Sequence, residues 1–442
     1  MGPKKKRKKK KVASSSSSSP ERRVAKSAAA TATKKGPRHQ AKRPGCSSSG
    51  SSGSSSGSEA DPSELLAPFG LREPLPWQCY MNEAVEEAPK ELPPEVLARL
   101  PAGLRVERSE KVSDGWHEGY LLHLSGPLVP GQPPKAVLRI WRSQLAYWRL
   151  EVPTGAAVEM RAMALAREAG VPTAGCADPG NGGLTGVCHR APRGEACDWA
   201  IYNFVENAGE KEASRAVKTV IGKETDFMVW TMARLHSHSL EGVDTEPLPR
   251  FEGWRDHVAY LAELAAASGH ADAVRAVEAV RTSLEAHQVP ELPPALCHFD
   301  WHLGNALVDG NAELQALIDW EFAGVGDPRL DVARFCRHEG WTGDGSRCRE
   351  HSDRDTTGIW SEYAKARFGP GADALARLGP PEPWIAMECT QVLVMCAAVC
   401  GRAASLQQEG EQGRTEVPRC GLLEWVEDLE TAKWHLRRMG LL

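Results

Sequence analysis

A chain of 442 residues has room for two domains and an appendage at roughly 100 to 200 residues per domain. Its net charge of −4 conceals an asymmetry: residues 1–46 hold 16 Lys/Arg against one acid, Glu21, so the other 38 basic and 57 acidic residues carry −19. Twelve scattered cysteines with no Cys-x-x-Cys pair and no secretory signal exclude a disulfide scaffold or zinc ribbon, and the longest apolar run, nine residues from Val392 to Cys400, falls short of the ~20 a membrane span needs, so a soluble protein of a reducing compartment is expected.

Residues 1–75 read as a disordered tail. Lys4 to Lys11 is broken only by Arg7, and serine runs occupy Ser14 to Ser19 and much of Ser47 to Ser58; like charge and low hydrophobicity leave nothing to bury. The basic run has three readings: a nuclear localisation signal read by an import receptor, an arm for non-specific nucleic-acid binding, or a solvated tail. An organellar address is a further alternative, disfavoured by the excess of Lys over Arg and the lack of an apolar stripe.

Folded sequence is expected from Pro76-Trp77. Strands are predicted at Leu104 to Arg108 and Tyr120 to Leu124, flanking Ser113-Asp114-Gly115, a turn that is either a plain hairpin or a set of backbone amides over phosphates, with Ser113 and Gly115 the candidate residues. Ala136 to Trp141 is a third strand with one cation, Arg139, among apolar neighbours. That cation is an outward-facing strand residue or a nucleotide-phosphate ligand, and Glu159 on the following helix, predicted over Ala157 to Ala169 and stopped by Gly170-Val171-Pro172, is its partner. Ala200 to Val205 reads as another strand. From about residue 208 helical periodicity takes over: Met228, Met232 and Leu235; Val274, Val277, Val280 and Leu284; Ala386 to Cys400, rich in Met, Cys and Ala as core packing; and Leu422, Trp425, Leu429 and Leu436 in a closing helix. His236 and His238 read as surface or core residues.

The stretch from Leu296 to Glu321 carries the chemistry. Asp300 precedes Asn305 by five positions, the offset at which kinase catalytic loops hold a base for the acceptor hydroxyl and an amide ligand for Mg²⁺. Ala306 to Val308 and Leu314 to Ile318 are strands joined by the turn Asp309-Gly310-Asn311, and this hairpin returns Asp319 toward Asn305, so an amide and a carboxylate can share one hard cation. His298 would brace the loop. The rival reading makes His298, Asp300, His302 and His338 the metal ligands of a hydrolase, a scheme that has no use for Asn305 and Asp319.

With His298, Asp300, Asn305, the hairpin, Ile318-Asp319-Trp320-Glu321, Gly326-Asp327-Pro328 and Asp331 in this order, the chain resembles the aminoglycoside phosphotransferase family, relatives of choline kinase within the protein-kinase-like superfamily. Asp319-Trp320-Glu321 stands where protein kinases have Asp-Phe-Gly. The resemblance implies a two-lobed α+β fold: a small antiparallel-sheet lobe over residues 76–207 and a mostly helical lobe over 208–442, with ATP between them. It implies Mg-ATP-dependent phosphotransfer to a hydroxyl of a small molecule, with Asp300 as base, Asn305 and Asp319 on Mg²⁺, Arg139 on the phosphates, Glu159 orienting Arg139, Asp331 fastening the loop, and Tyr202 to Glu206 leading to the adenine. Two alternatives are a nucleotide-binding module without turnover and a nucleic-acid-associated protein driven by the tail.

Overall fold

The computed structural model describes residues 92–442 apart from 101–102, 115–116, 127–133, 142–154, 176–183, 191–194, 207–223, 310, 312, 339–355, 372 and 412–431. The basic tail, the expected start at Pro76-Trp77, Gly115, and Leu422, Trp425 and Leu429 of the closing helix lie outside the described residues.

The first part is a five-stranded antiparallel sheet in the order β1-β2-β3-β5-β4, built from β1 (Arg105–Asp114), β2 (Glu118–Ser125), β3 (Lys135–Ile140), β4 (Leu184–Arg190) and β5 (Glu195–Asn203). Period-two alternation sorts β3 cleanly: Ala136, Leu138 and Ile140 are buried, while Val137 and Arg139 face the other way. The buried set joins Leu122, Trp199 and Ile201 in a core capped by Val96 of helix α1 (Pro94–Arg99). Gly186 of β4 makes room for the Trp199 ring, which a Cβ there would meet at 2.8 Å. The first two strands are longer than their apolar runs suggest, because pairing continues to Asp114 opposite Glu118.

Helix α2 (Ala156–Glu168) is made of strong helix formers and ends in a Schellman cap: Gly170 takes φ +78°, its N–H reaches the Arg167 carbonyl at 2.9 Å, and Val171 N–H reaches Ala166 O at 2.8 Å. Its buried Val158, Ala162, Met163, Leu165 and Ala166 belong to the larger core shared with the helical part. That core gathers α3 (Glu224–Ser237), α4 (Trp254–Ser268), α5 (Ala271–Ala286), α6 (Arg329–His338), α7 (Thr356–Phe368), α8 (Asp373–Leu378) and α9 (Glu382–Glu411). Met228, Met232 and Leu235 are buried as their spacing predicts. Val274 is not: the buried stripe of α5 runs through Ala273, Ala276, Val277, Val280 and Leu284, which turns Val274 outward at 47% exposure. Among the described residues no helix is long and apolar enough to cross a membrane.

Candidate active site

Four short strands carry the site. β6 (Ala295–Cys297) pairs antiparallel with β9 (Gly324–Gly326), so the two ends of the reactive stretch are held side by side. Between them β7 (Ala306–Val308) and β8 (Leu314–Leu317) form the expected hairpin, and Ile318 N–H closes it by donating to Asn305 O at 2.9 Å. Asn305 and Asp319 therefore flank the open end of one hairpin. Asp319 itself takes φ +66° before a 3₁₀ turn over Trp320–Phe322.

Asp331, fully buried on α6, accepts from His298 N–H at 2.8 Å and Phe299 N–H at 2.7 Å. These bonds hold Phe299 at φ +58°, a left-handed conformation uncommon for a bulky residue. Asp331 also meets His236 Nε2 at 3.0 Å, and His236 Nδ1 meets the Tyr363 hydroxyl at 2.7 Å, so His236 is a core residue that locks the anchor. The His298 ring donates from Nε2 to Ile318 O at 2.9 Å and accepts Asp300 N–H on Nδ1 at 3.3 Å, a brace across the base of the hairpin. Burial pushes its pKa below the usual imidazole range, which keeps the neutral ring that both bonds require. With both nitrogens engaged, His298 has no lone pair for a metal, and the hydrolase reading loses its first ligand. Among the described residues the His/Cys/Asp cluster of metal-binding dimensions is His236, Cys297 and Asp331 instead, and Asp331 is committed to the backbone of the loop.

Asp300 is held from two sides. Its Oδ2 accepts from Asn305 Nδ2 at 3.2 Å, the same amide donating to Asp300 O at 2.9 Å, and His302 Nε2 lies 3.5 Å away. Its Oδ1 accepts two N–H groups of Arg334, from Nε at 3.0 Å and from Nη2. Arg334 in turn donates to Glu388 of α9 at 2.9 Å, and Arg337 donates to the same carboxylate at 3.1 Å. None of Arg334, Arg337 and Glu388 stands out in the sequence. The available signals were an arginine one turn after Asp331 and a lone acid inside the apolar Ala386 to Cys400 run, and neither has a partner until helices α6 and α9 are packed.

The second ionic cluster forms around Arg139. Its cross-strand neighbours are Gly119 on β2 and Ala200 on β5, both small, and Ser113 sits in the same row one strand further out, opposite Gly119. Arg139 Nη1 reaches Asp319 Oδ1 at 2.7 Å and both Glu159 oxygens at 3.3 Å; Nη2 reaches Glu321 Oε2 at 2.9 Å. His117 Nε2 also meets Glu321. Glu159 is 3% exposed and further accepts from Trp320 N–H and the Tyr202 hydroxyl, each at 3.3 Å. Burial, opposed by Arg139 and reinforced by the charges of Asp319 and Glu321, lifts the Glu159 pKa to about 7. Burial raises that of Asp319 as well. Three carboxylates thus converge on one guanidinium, an oxygen-rich, net negative set that suits a hard divalent cation. Sequence reasoning found Arg139, Glu159 and Asp319 here and missed Glu321 and His117 as members of the cluster. Within Tyr202 to Glu206, the Tyr202 hydroxyl serves Glu159, and β5 ends at Asn203.

A five-stranded antiparallel sheet followed by a helical part, with a hairpin-borne Asp/Asn/Asp set beneath a strand cation, defines a kinase-like α+β protein. A profile of the phosphotransferase enzyme family matches residues 110–368, more than half of the chain, and the chain belongs to that family, the aminoglycoside phosphotransferases. Among solved structures the chain is similar to spectinomycin phosphotransferase in complex with ADP and spectinomycin, at 12% identity over 80% of this chain and 99% of that one, TM-score 0.46. It is also similar to a choline/ethanolamine kinase family protein from Mesorhizobium loti, at 18% identity over 80% and 94%, TM-score 0.40. No curated protein matches the sequence.

Proposed function

We propose that the chain transfers the γ-phosphoryl group of ATP to a hydroxyl of a small molecule, with Mg²⁺ as its metal. The observation that carries this reading is the hairpin that sets Asn305 and Asp319 at one end, next to an Asp300 oriented by Arg334 and below Arg139. In it, Asp300 accepts the acceptor's hydroxyl hydrogen bond and then its proton as the new O–P bond forms and the bond to the ADP leaving oxygen breaks. Asn305 turns its amide nitrogen to Asp300, which leaves the amide oxygen for the cation beside the Asp319 carboxylate. Mg²⁺ supplies neutralisation of phosphate charge when bound. Arg139, kept in place by Glu159, exchanges its bond to Asp319 for one to the nucleotide phosphates, and the end of β1 at Ser113, in the same row of the sheet as Arg139, is the part of the sheet that would approach them.

The test is to incubate the full chain with Mg-ATP and a pooled extract of hydroxyl metabolites and to search by mass spectrometry for products heavier by one phosphoryl group. Products that depend on Mg²⁺ and vanish in Asp300→Asn support the reading; undiminished product from Asp300→Asn sinks it. We also propose that the basic run at Lys4 to Lys11 acts as a nuclear address. Fused to a reporter, residues 1–46 should concentrate it in the nucleus, and a uniformly cytosolic reporter overturns the assignment.

A further inference from the structure

His117 stands one residue ahead of β2 and two ahead of Gly119, the cross-strand partner of Arg139, so period-two alternation puts its imidazole on the Arg139 side of the sheet. There its Nε2 meets Glu321 at Oε2, the same oxygen that Arg139 Nη2 reaches at 2.9 Å. A carboxylate oxygen accepts, so Nε2 carries the proton and donates the bond. Packing seats the ring independently of that bond: its centroid lies 5.9 Å from the Trp141 ring, and the Arg139 guanidinium lies 5.2 Å from the same indole. The His117 and Glu321 side chains are 11% and 13% exposed, which makes the contact between them costly to break.

Movement of Arg139 gives this contact a function. Its Nη1 reaches Asp319 at 2.7 Å while its Nη2 holds Glu321, and a planar guanidinium moves as one fork. When Nη1 exchanges Asp319 for the nucleotide phosphates, Nη2 is drawn off Glu321 as well. Glu321 lies two residues past Asp319, inside the 3₁₀ turn that Asp319 opens, so a carboxylate loosened there swings beside the incoming phosphates and repels them. His117 reaches Glu321 from a different strand than Arg139 does, and its bond outlasts the movement of Arg139.

We propose that His117 is a positioning residue for nucleotide binding: it holds Glu321 against the sheet while Arg139 transfers from the carboxylates to the phosphates. The inference rests on the phosphotransferase reading as far as Mg-ATP binding and deepens it by naming the side chain that makes the Arg139 exchange possible.

The experiment is titration calorimetry of the full chain with Mg-ATP. His117→Phe keeps a ring against Trp141 and removes the donor, and it should weaken binding about tenfold, the loss of one hydrogen bond to a charged group. His117→Ala serves in its place if the phenyl ring is not accommodated. His117→Gln keeps an N–H donor and gives up the ring, and it should lose less than about threefold. In a Glu321→Gln background, which has no charge to restrain, adding His117→Phe should change affinity by less than about twofold. Unchanged or tighter binding in His117→Phe overturns the proposal, and so does an equal loss in His117→Gln, which would assign the effect to ring packing. A full tenfold loss in the Glu321→Gln background also overturns it, because His117 would then act through another group. A wild type that binds Mg-ATP with no dependence on His117 leaves phosphotransfer intact, whereas a wild type that binds no Mg-ATP sinks both readings.

Discussion

Two arginine-containing ionic clusters adjoin the reactive loop, and they are built on opposite charge arithmetic. Arg139 faces three carboxylates, Glu159, Asp319 and Glu321, whereas Arg334 and Arg337 face two, Asp300 and Glu388. Among the described residues the first set is short of positive charge and the second is balanced. An unbalanced buried cluster is costly to keep and is relieved by a ligand of the missing sign, which under the proposed function would be a divalent cation. A balanced one is already satisfied, so its function is to hold geometry. Under the proposed function the difference would separate a binding centre from an orienting one a few residues apart in the same loop.

The strongest way to break this contrast is at the base. Asp300→Asn keeps the size and the contacts to Asn305 yet cannot take a proton, and it should lower turnover by about 10² to 10⁴-fold while nucleotide affinity, measured by titration calorimetry, changes little. Full turnover would mean the acceptor is activated elsewhere. Asp319→Ala should act differently, weakening both turnover and the Mg-dependent part of ATP affinity, because it strips a carboxylate from the unbalanced set.

Next in size is the loss of Arg139. Arg139→Met leaves three carboxylates facing one another, and the melting temperature should fall by the equivalent of about 2 kcal/mol, discounted for partial exposure. Millimolar Mg²⁺ should restore more of the loss than it adds to the wild type. Equal shifts in both proteins would show that the carboxylates do not share a cation. In the balanced cluster, Arg334→Ala should cost roughly tenfold to a hundredfold in kcat with little change in the KM for ATP, since a misaimed base affects the transition state. Arg334→Lys should recover part of it. A parallel rise in the KM for ATP would refute an orienting role.

The smallest effect is on pH dependence. The folded-state pKa of Glu159, about 7, lies above its ordinary 4.5, so its contribution to stability is full below pH 4.5 and is lost as pH rises through 7. Glu159→Gln should flatten that part of the stability curve by on the order of 2 kcal/mol in denaturant titrations at pH 5 and pH 8. An unchanged slope would mean that Arg139 fully compensates the charge.

By itself the sequence determined the local arrangement. The period-two burial of Ala136, Leu138 and Ile140, the Gly170 helix stop, and the turn that folds Asn305 and Asp319 to one hairpin end are all short-range consequences of backbone preference and side-chain alternation. So is the pairing of Arg139 with Glu159, which only twenty residues and one strand-to-helix passage separate. Tertiary structure alone decided the rest. Arg334 meets Asp300 across 34 residues and Glu388 across 54, and Glu321 meets His117 across 204; such pairs have no periodic signature, because they depend on how α6 packs on α9 and how the sheet lies over the hairpin. The same holds for Val274, which shares the spacing of the α5 stripe and yet faces outward, since periodicity marks a face only to within a turn and packing selects which edge of it is buried. Local chemistry is written in residue order; the balance of charge around it depends on which distant elements the core brings into contact.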